Sequence, residues 1–264
     1  MHPLFEQALT EIDAAFAKYV RYVPQPQKVP FKQHFIFRYK EQTVQQALVQ
    51  KLARVITGLR ACAHLLDNGY VQEVGILQRT LDELGEDIAF LAAAITNDAI
   101  TPLHKQYLES FYEEEFDLNT GKPLQRRKRH QVPRDKIIGY ITRILSGSGP
   151  VDLSTAIDTH HNLNKVYSGF VHAASPHIMD MYGGNPARFH TSGLLGTPLV
   201  EHQQDDLWNY FYRAIGQAVI VGKAFGDVPT VTRLLAYVTH FEKCSGTDFR
   251  AETVAAIRKG EKKK

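Results

Sequence analysis

Residues 43–96 read TVQQALVQKLARVITGLRACAHLLDNGYVQEVGILQRTLDELGEDIAFLAAAIT, and this stretch decides the fold. Its first half repeats apolar residues at three-four spacing: Val44, Leu48, Leu52, Val55, Leu59, Cys62 and Leu66. That spacing places them on one stripe of a helix. Asn68-Gly69 is a stop signal, because glycine takes the left-handed conformation that closes a helix. A second stripe begins at once, with Val74, Leu77, Leu81, Leu84, Ile88, Leu91 and Ile95. Two helices of about 25 residues joined by almost nothing must fold back antiparallel. The hairpin over 43–96 seeds an antiparallel helical bundle, and the expected fold class is all-α.

On the N-terminal side, Leu4, Phe5, Leu9, Ile12, Phe16, Tyr19 and Val23 form another helical stripe. Pro24, Pro26 and Pro30 end it, so residues 1–40 read as a helix followed by an irregular or briefly extended strap. The strap packs Phe31, Phe35, Phe37 and Tyr39 over the bundle in one reading; in the other it is an exposed aromatic-basic patch. On the C-terminal side, Pro102 opens a helix running from His104 to Phe116. A basic loop spans 117–136, and a short helix, Ile137 to Leu145, stops at the Ser-Gly-Ser-Gly-Pro run of 146–150.

Residues 152–174 predict a central polar helix that carries Ser154, Asp158, His161, Lys165, Ser168 and His172 on one face. Ala156, Leu163, Tyr167 and Phe170 fall opposite. A glycine-containing loop covers 177–198, in the manner of a lid, a binding loop or a mobile connection. Helices then run from Asp205 to Phe225, Thr230 to Cys244 and Asp248 to Arg258, and a tail at 259–264 is expected to be disordered. No internal repeat and no convincing period-two alternation is visible, so residues 1–264 read as a single helical domain.

With 264 residues and 44% hydrophobic content, the chain can bury a full core without a metal or a disulfide. A net charge of +3 is too small to imply nucleic acid by itself. Cys62 and Cys244 lie far apart, which reads as two buried thiols in a reducing compartment rather than a bridge. No apolar run approaches the roughly 20 residues that span a bilayer, and the N-terminus shows no cleavable hydrophobic region. The expectation is a soluble, cytoplasmic protein with no membrane partner. CxxC, HExxH, Walker and dinucleotide fingerprints are all missing, so neither a metal nor a cofactor is expected.

Two places could carry chemistry. Ser168 and His172 stand four apart on the central helix, within reach of each other. One reading makes His172 a general acid or base, with Lys165 or Ser168 contacting an anion or phosphate. The other makes the stripe a solvated face or a hydrogen-bonded seam between helices. Arg79 and Glu83, also four apart, lie opposite the Leu77/Leu81/Leu84/Ile88 stripe together with Gly75, Glu86 and Phe90. They form either a surface ion pair or part of a second face docked on another helix, where His172 and Ser168 would be partners.

Arg79-Thr80-Leu81-x-Glu83 followed by Tyr167-Ser168-x-x-Val171-His172 resembles a bacterial helical family known as a domain of unknown function. The resemblance covers about residues 45–240. It implies a helical bundle associated with phage-defence or toxin-like gene products. That family is similar in layout to the HEPN nucleases, metal-independent RNases that usually act as dimers. Their signature is an arginine, four to six residues and a histidine, the histidine handling a proton and the arginine the phosphate. In this chain Lys165 stands where that arginine would precede His172, and lysine lacks its planar fork. Arg233 to His240 matches by spacing without the usual polar residue after the arginine. The resemblance thus implies RNA as a partner, a homodimer, and a catalytic group of His172, Lys165 and Ser168 supported by Arg79 and Glu83.

Lys122, Arg126, Arg127, Lys128, Arg129, Arg134 and Lys136 make the strongest basic cluster, just after Glu109, Glu113, Glu114, Glu115 and Asp117. Arg126, Arg127, Lys128 and Arg129 could track a phosphate backbone, or form a solvated loop balanced by its acidic neighbour. Two functions stay open: a defence- or toxin-associated protein of HEPN-like RNase character, and a non-catalytic bundle that binds a ligand or partner around a structural polar network.

Overall fold

The computed structural model describes residues 1–124, 131–145 and 167–247. Helix α1 (Pro3–Tyr19) opens the chain and ends in a single 3-10 turn, Val20–Tyr22. Helices α2 (Val44–Asp67) and α3 (Val71–Thr96) form the expected antiparallel hairpin. A reciprocal cap starts α2: Gln46 N donates to Thr43 Oγ1 at 3.2 Å, and Thr43 N donates to Gln46 Oε1 at 3.0 Å. At the hinge Gly69 has φ 76°, and Leu194 N donates to its carbonyl at 2.8 Å. A Cβ there would lie 2.6 Å from Leu194 N, so only glycine fits both the left-handed turn and the close chain.

Helices α4 (Pro102–Phe111) and α5 (Arg134–Leu145) follow, then a short α6 (Ser175–Met179) and two long helices, α7 (Pro198–Phe225) and α8 (Val228–Ser245). Helix α7 packs on α1, α2, α3 and α8, and α5 packs on α3. Their meeting faces bury Tyr19, Leu48, Leu52, Leu59, Ile88, Phe90, Leu91, Phe211 and Phe241. Close approach is built in: Gly58 faces Leu81 across the hairpin, and Gly222 faces the Tyr19 ring, whose hydroxyl donates to the Ala218 carbonyl at 2.9 Å. No helix among the described residues is long and apolar enough to cross a membrane.

Several boundaries depart from the sequence reading. The strap is a hairpin of β1 (Gln27–Phe31) and β2 (His34–Arg38), closed by Lys32 at φ 54°. Phe35 and Phe37 are exposed rather than packed on the bundle. Apolar residues occupy both faces of this ribbon, which hid its alternation. Helix α4 ends at Phe111, not Phe116, because Glu113, Glu114 and Glu115 would set three carboxylates against the negative end of the helix dipole. The 177–198 loop starts inside α6 and holds a small hairpin, β3 (Tyr182–Gly183) with β4 (Arg188–Phe189). Thr197-Pro198 starts α7 well before Asp205, a start signal of extended cap plus first-turn proline. Cys62 is buried, and burial pushes its thiol up to about 12, but Cys244 is exposed.

Of the central helix 152–174, only the last turn is described: residues 167–171 are helical, and the chain leaves at Ala173, φ 50°. Ser175 and Pro176 start α6. Ser154, Asp158, His161 and Lys165 lie outside the described residues, as do Arg126, Arg127, Lys128, Arg129, the Asp248 to Arg258 segment and the 259–264 tail.

Candidate functional site

Helix α3 carries Asp82, Glu83, Glu86 and Asp87 within two turns, and the elements around it supply matching cations. Asp87 lies three residues after Leu84 and four before Leu91, both buried, so its carboxylate is carried inward and is only 3% exposed. A carboxylate there must be paired. Lys51 of α2 reaches its Oδ2 at 2.7 Å, and Arg134, the first residue of α5, reaches its Oδ1 at 2.6 Å. Arg134 also lies 3.5 Å from Glu86 Oε2 and 3.7 Å from Glu83 Oε2, and Glu83 Oε1 lies 3.4 Å from Arg79 Nε. A continuous ladder therefore runs Arg79–Glu83–Arg134–Asp87–Lys51.

The Lys51 ammonium additionally sits over two rings of α4, 4.7 Å from Phe111 and 5.6 Å from Tyr107. Burial, followed by the Asp87 charge, raises the Tyr107 phenol far above its ordinary value, so this hydroxyl stays protonated. Burial also pushes the Glu86 carboxyl up to about 7; Arg134 opposes the shift, while Asp82, Asp87 and Glu83 reinforce it. Beside the ladder opens a cavity of about 610 Å³ between α2, α3, α4 and the start of α5. Lys51, Asp87, Tyr107, Ser110, Phe111 and Arg134 line it. Its charged lining is balanced, with Lys51 and Arg134 against Glu83 and Asp87.

A second polar cluster ties α3 to α7 and to the 167–171 turn. Asp82 pairs with Arg213 at 2.7 Å and accepts from the Tyr210 hydroxyl at 2.9 Å. Tyr210 has one proton and gives it to the carboxylate, so the Tyr167 hydroxyl, 2.9 Å away, is the donor of the next bond. Phe170 lies directly on Gly75: a Cβ at that position would sit 2.7 Å from its ring.

The two signature segments thus run side by side, joined by Gly75–Phe170 and by Asp82–Tyr210–Tyr167. Their polar groups are not joined. Among the described residues, neither Ser168 nor His172 makes a side-chain hydrogen bond to Arg79 or Glu83; the Ser168 carbonyl accepts from His172 N at 3.0 Å. His172 is exposed and Ser168 half-buried, while Arg79 and Glu83 pair with each other. Arg233 of the other arginine–histidine spacing is ion-paired with Glu11 of α1, and His240 lies 3.6 Å from Cys244 Sγ. Among the described residues, no group of three His, Cys, Asp or Glu could hold a metal ion.

Lys51, Asp87, Tyr107 and Phe111 escaped the sequence reading as site residues, although a signal was present, and Arg134 was read only as part of the basic loop. Lys51 precedes Leu52 and Asp87 precedes Ile88, so opposite charges sit at the edge of the buried stripe on both arms of one hairpin. Neither a protein-family model, nor a curated protein, nor a solved structure matches this chain.

Proposed function

We propose that the chain is a binding bundle that takes a compact polar ligand in the cavity beside Asp87, with the α3 charges serving as its fixed framework rather than as a reaction centre. The observation that carries this reading is the balanced ladder flooring a cavity of about 610 Å³. That volume suits a small molecule. Two lining cations against two lining carboxylates favour a ligand of net charge near zero that offers both donors and acceptors, and Tyr107 and Phe111 supply an apolar wall. Arg79, Arg134, Arg213 and Arg233 each have a carboxylate partner, which argues against their acting as open phosphate clamps.

A thermal-shift series with nucleosides, amino acids and hexoses tests the reading. At least one class is expected to raise the melting temperature of the wild type and to lose that effect in Ser110→Trp, which fills the cavity and leaves the ladder intact. Equal shifts in both proteins, or none in either, would sink it.

A HEPN-like ribonuclease is the second reading, and the exposure of His172 favours it. In that reading His172 moves the proton, Lys165 and Ser168 meet the phosphate, and the Arg126 to Arg129 run holds RNA across a homodimer. Cleavage of single-stranded RNA in chelator by the wild type but not by His172→Ala, with equal melting temperatures, would displace the binding reading.

A further inference from the structure

The β1–β2 hairpin projects an outer face that nothing in the bundle uses. Lys28 pairs with Phe37, and Pro30 with Phe35, across the ladder, so these four residues share one face. All four are exposed, Phe35 at 51% and Phe37 at 54%. The opposite face holds Val29, Phe31 and Ile36, which are half-buried. Exposed rings are normally turned inward, and here a hydrophobic inner face was available. The two rings meet edge to face, with centroids 5.5 Å apart, and the Lys28 ammonium stands 4.3 Å over Phe35.

Charge points to the occupant. Residues 27–40, QKVPFKQHFIFRYK, contain Lys28, Lys32, Arg38 and Lys40 and no acid, in a chain whose total excess is only +3. Arg38 belongs to the inner face and is ion-paired with Glu114, which leaves Lys28 on the outer face beside the rings. Two upright aromatic rings with a lysine at their side, on a ribbon without carboxylates, match the chemistry of a single-stranded polynucleotide: bases stack on rings while an ammonium meets the phosphate.

We infer that the outer face of the β1–β2 hairpin binds single-stranded nucleic acid, with Phe35 and Phe37 as the stacking platform and Lys28 as a phosphate contact. The inference is independent of the cavity and of His172. RNA and DNA share this chemistry, and the face carries no feature that separates them.

Fluorescence polarisation of the full chain with labelled oligouridylate and oligothymidylate of about ten nucleotides provides the test. Binding to one or both is expected, with affinity falling as salt rises. The Phe35→Ala/Phe37→Ala pair is expected to weaken it at least about tenfold, Phe35→Trp/Phe37→Trp to retain it, and Lys28→Ala to weaken it and flatten its salt dependence. Both rings are half exposed, so the thermal melt should stay near that of the wild type. Absence of binding up to ~100 μM, or binding unaffected by the alanine pair, overturns the inference. So does a hairpin-dependent association with phosphatidylserine vesicles, or with a second copy of the chain, in place of oligonucleotide binding.

Discussion

Asp87 holds a lysine from one helix and an arginine from another, so its loss leaves two half-buried cations facing each other without a carboxylate. Asp87→Asn is expected to lower unfolding free energy by about 3 kcal/mol, measured in urea, because breaking a buried pair strands its partners. Arg79→Ala should cost no more than about 0.5 kcal/mol, since Arg79 and Glu83 form a partly exposed i,i+4 pair at 3.4 Å. A loss for Arg79→Ala as large as that for Asp87→Asn would mean the ladder is held from its outer end instead. Gln78 runs the other way: it is wholly buried, and among the described residues neither Nε2 nor Oε1 has a hydrogen-bond partner. Gln78→Met keeps the volume and removes the stranded amide, so a gain of about 1 kcal/mol is expected in the same experiment. The sequence pointed to Arg79 and Glu83 because their spacing is local. Asp87 was harder to see, since its partners Lys51 and Arg134 are distant in the chain and one more acid in the run Asp82, Glu83, Glu86, Asp87 looks like part of a solvated face.

Elements were legible where one apolar stripe ran unbroken, as in α2 and α3, and most sharply at the Asn68-Gly69 stop between them. They were less legible where a boundary depended on what surrounded it. The β1–β2 ribbon carries apolar residues on both faces, so period-two reasoning had nothing to grip, and α4 shows an aromatic stripe that its terminal carboxylates cut short. Contact between the arginine–glutamate and serine–histidine segments was anticipated at the wrong residues: helix to helix they touch through a glycine and a phenylalanine, neither of which advertises a polar site. That contact yields a prediction of its own. A side chain at Gly75 must displace the Phe170 ring, which is stiff and cannot swing aside as a methylene chain does. Gly75→Leu is expected to lift the 167–171 turn off α3, cost about 1–2 kcal/mol, and speed proteolytic cleavage close to His172. Unchanged cleavage with unchanged stability would show that the turn is held by the Tyr167–Tyr210–Asp82 chain alone.

At the scale of the whole molecule, pH acts through fully buried His104 and half-buried Glu86 in opposite directions. His104 is fully buried; its Nδ1 accepts from Thr101 N at 3.1 Å, and its Nε2 lies 3.1 Å from the Phe90 carbonyl, an arrangement that fits the neutral ring. Burial holds its pKa below 6.5 despite the bond to Phe90, so the unfolded chain takes up the proton first. The stability tied to His104 is complete above pH 6.5 and lost as pH falls through the folded value. Glu86 has the reverse sign. Its ordinary value is 4.5 and its folded value about 7, so the folded chain keeps a proton that the unfolded chain has already released. The stability tied to Glu86 is complete below 4.5 and lost as pH rises to about 7. Glu86→Gln removes that loss while Arg134 retains Asp87, 2.6 Å away. Its advantage over the wild type should therefore be small at pH 4.5 and grow to about 1–3 kcal/mol by pH 8, read from urea unfolding at several pH values. An advantage that does not change with pH would mean that Glu86 is already ionised at the acid end, and that Arg134, rather than burial, sets its charge.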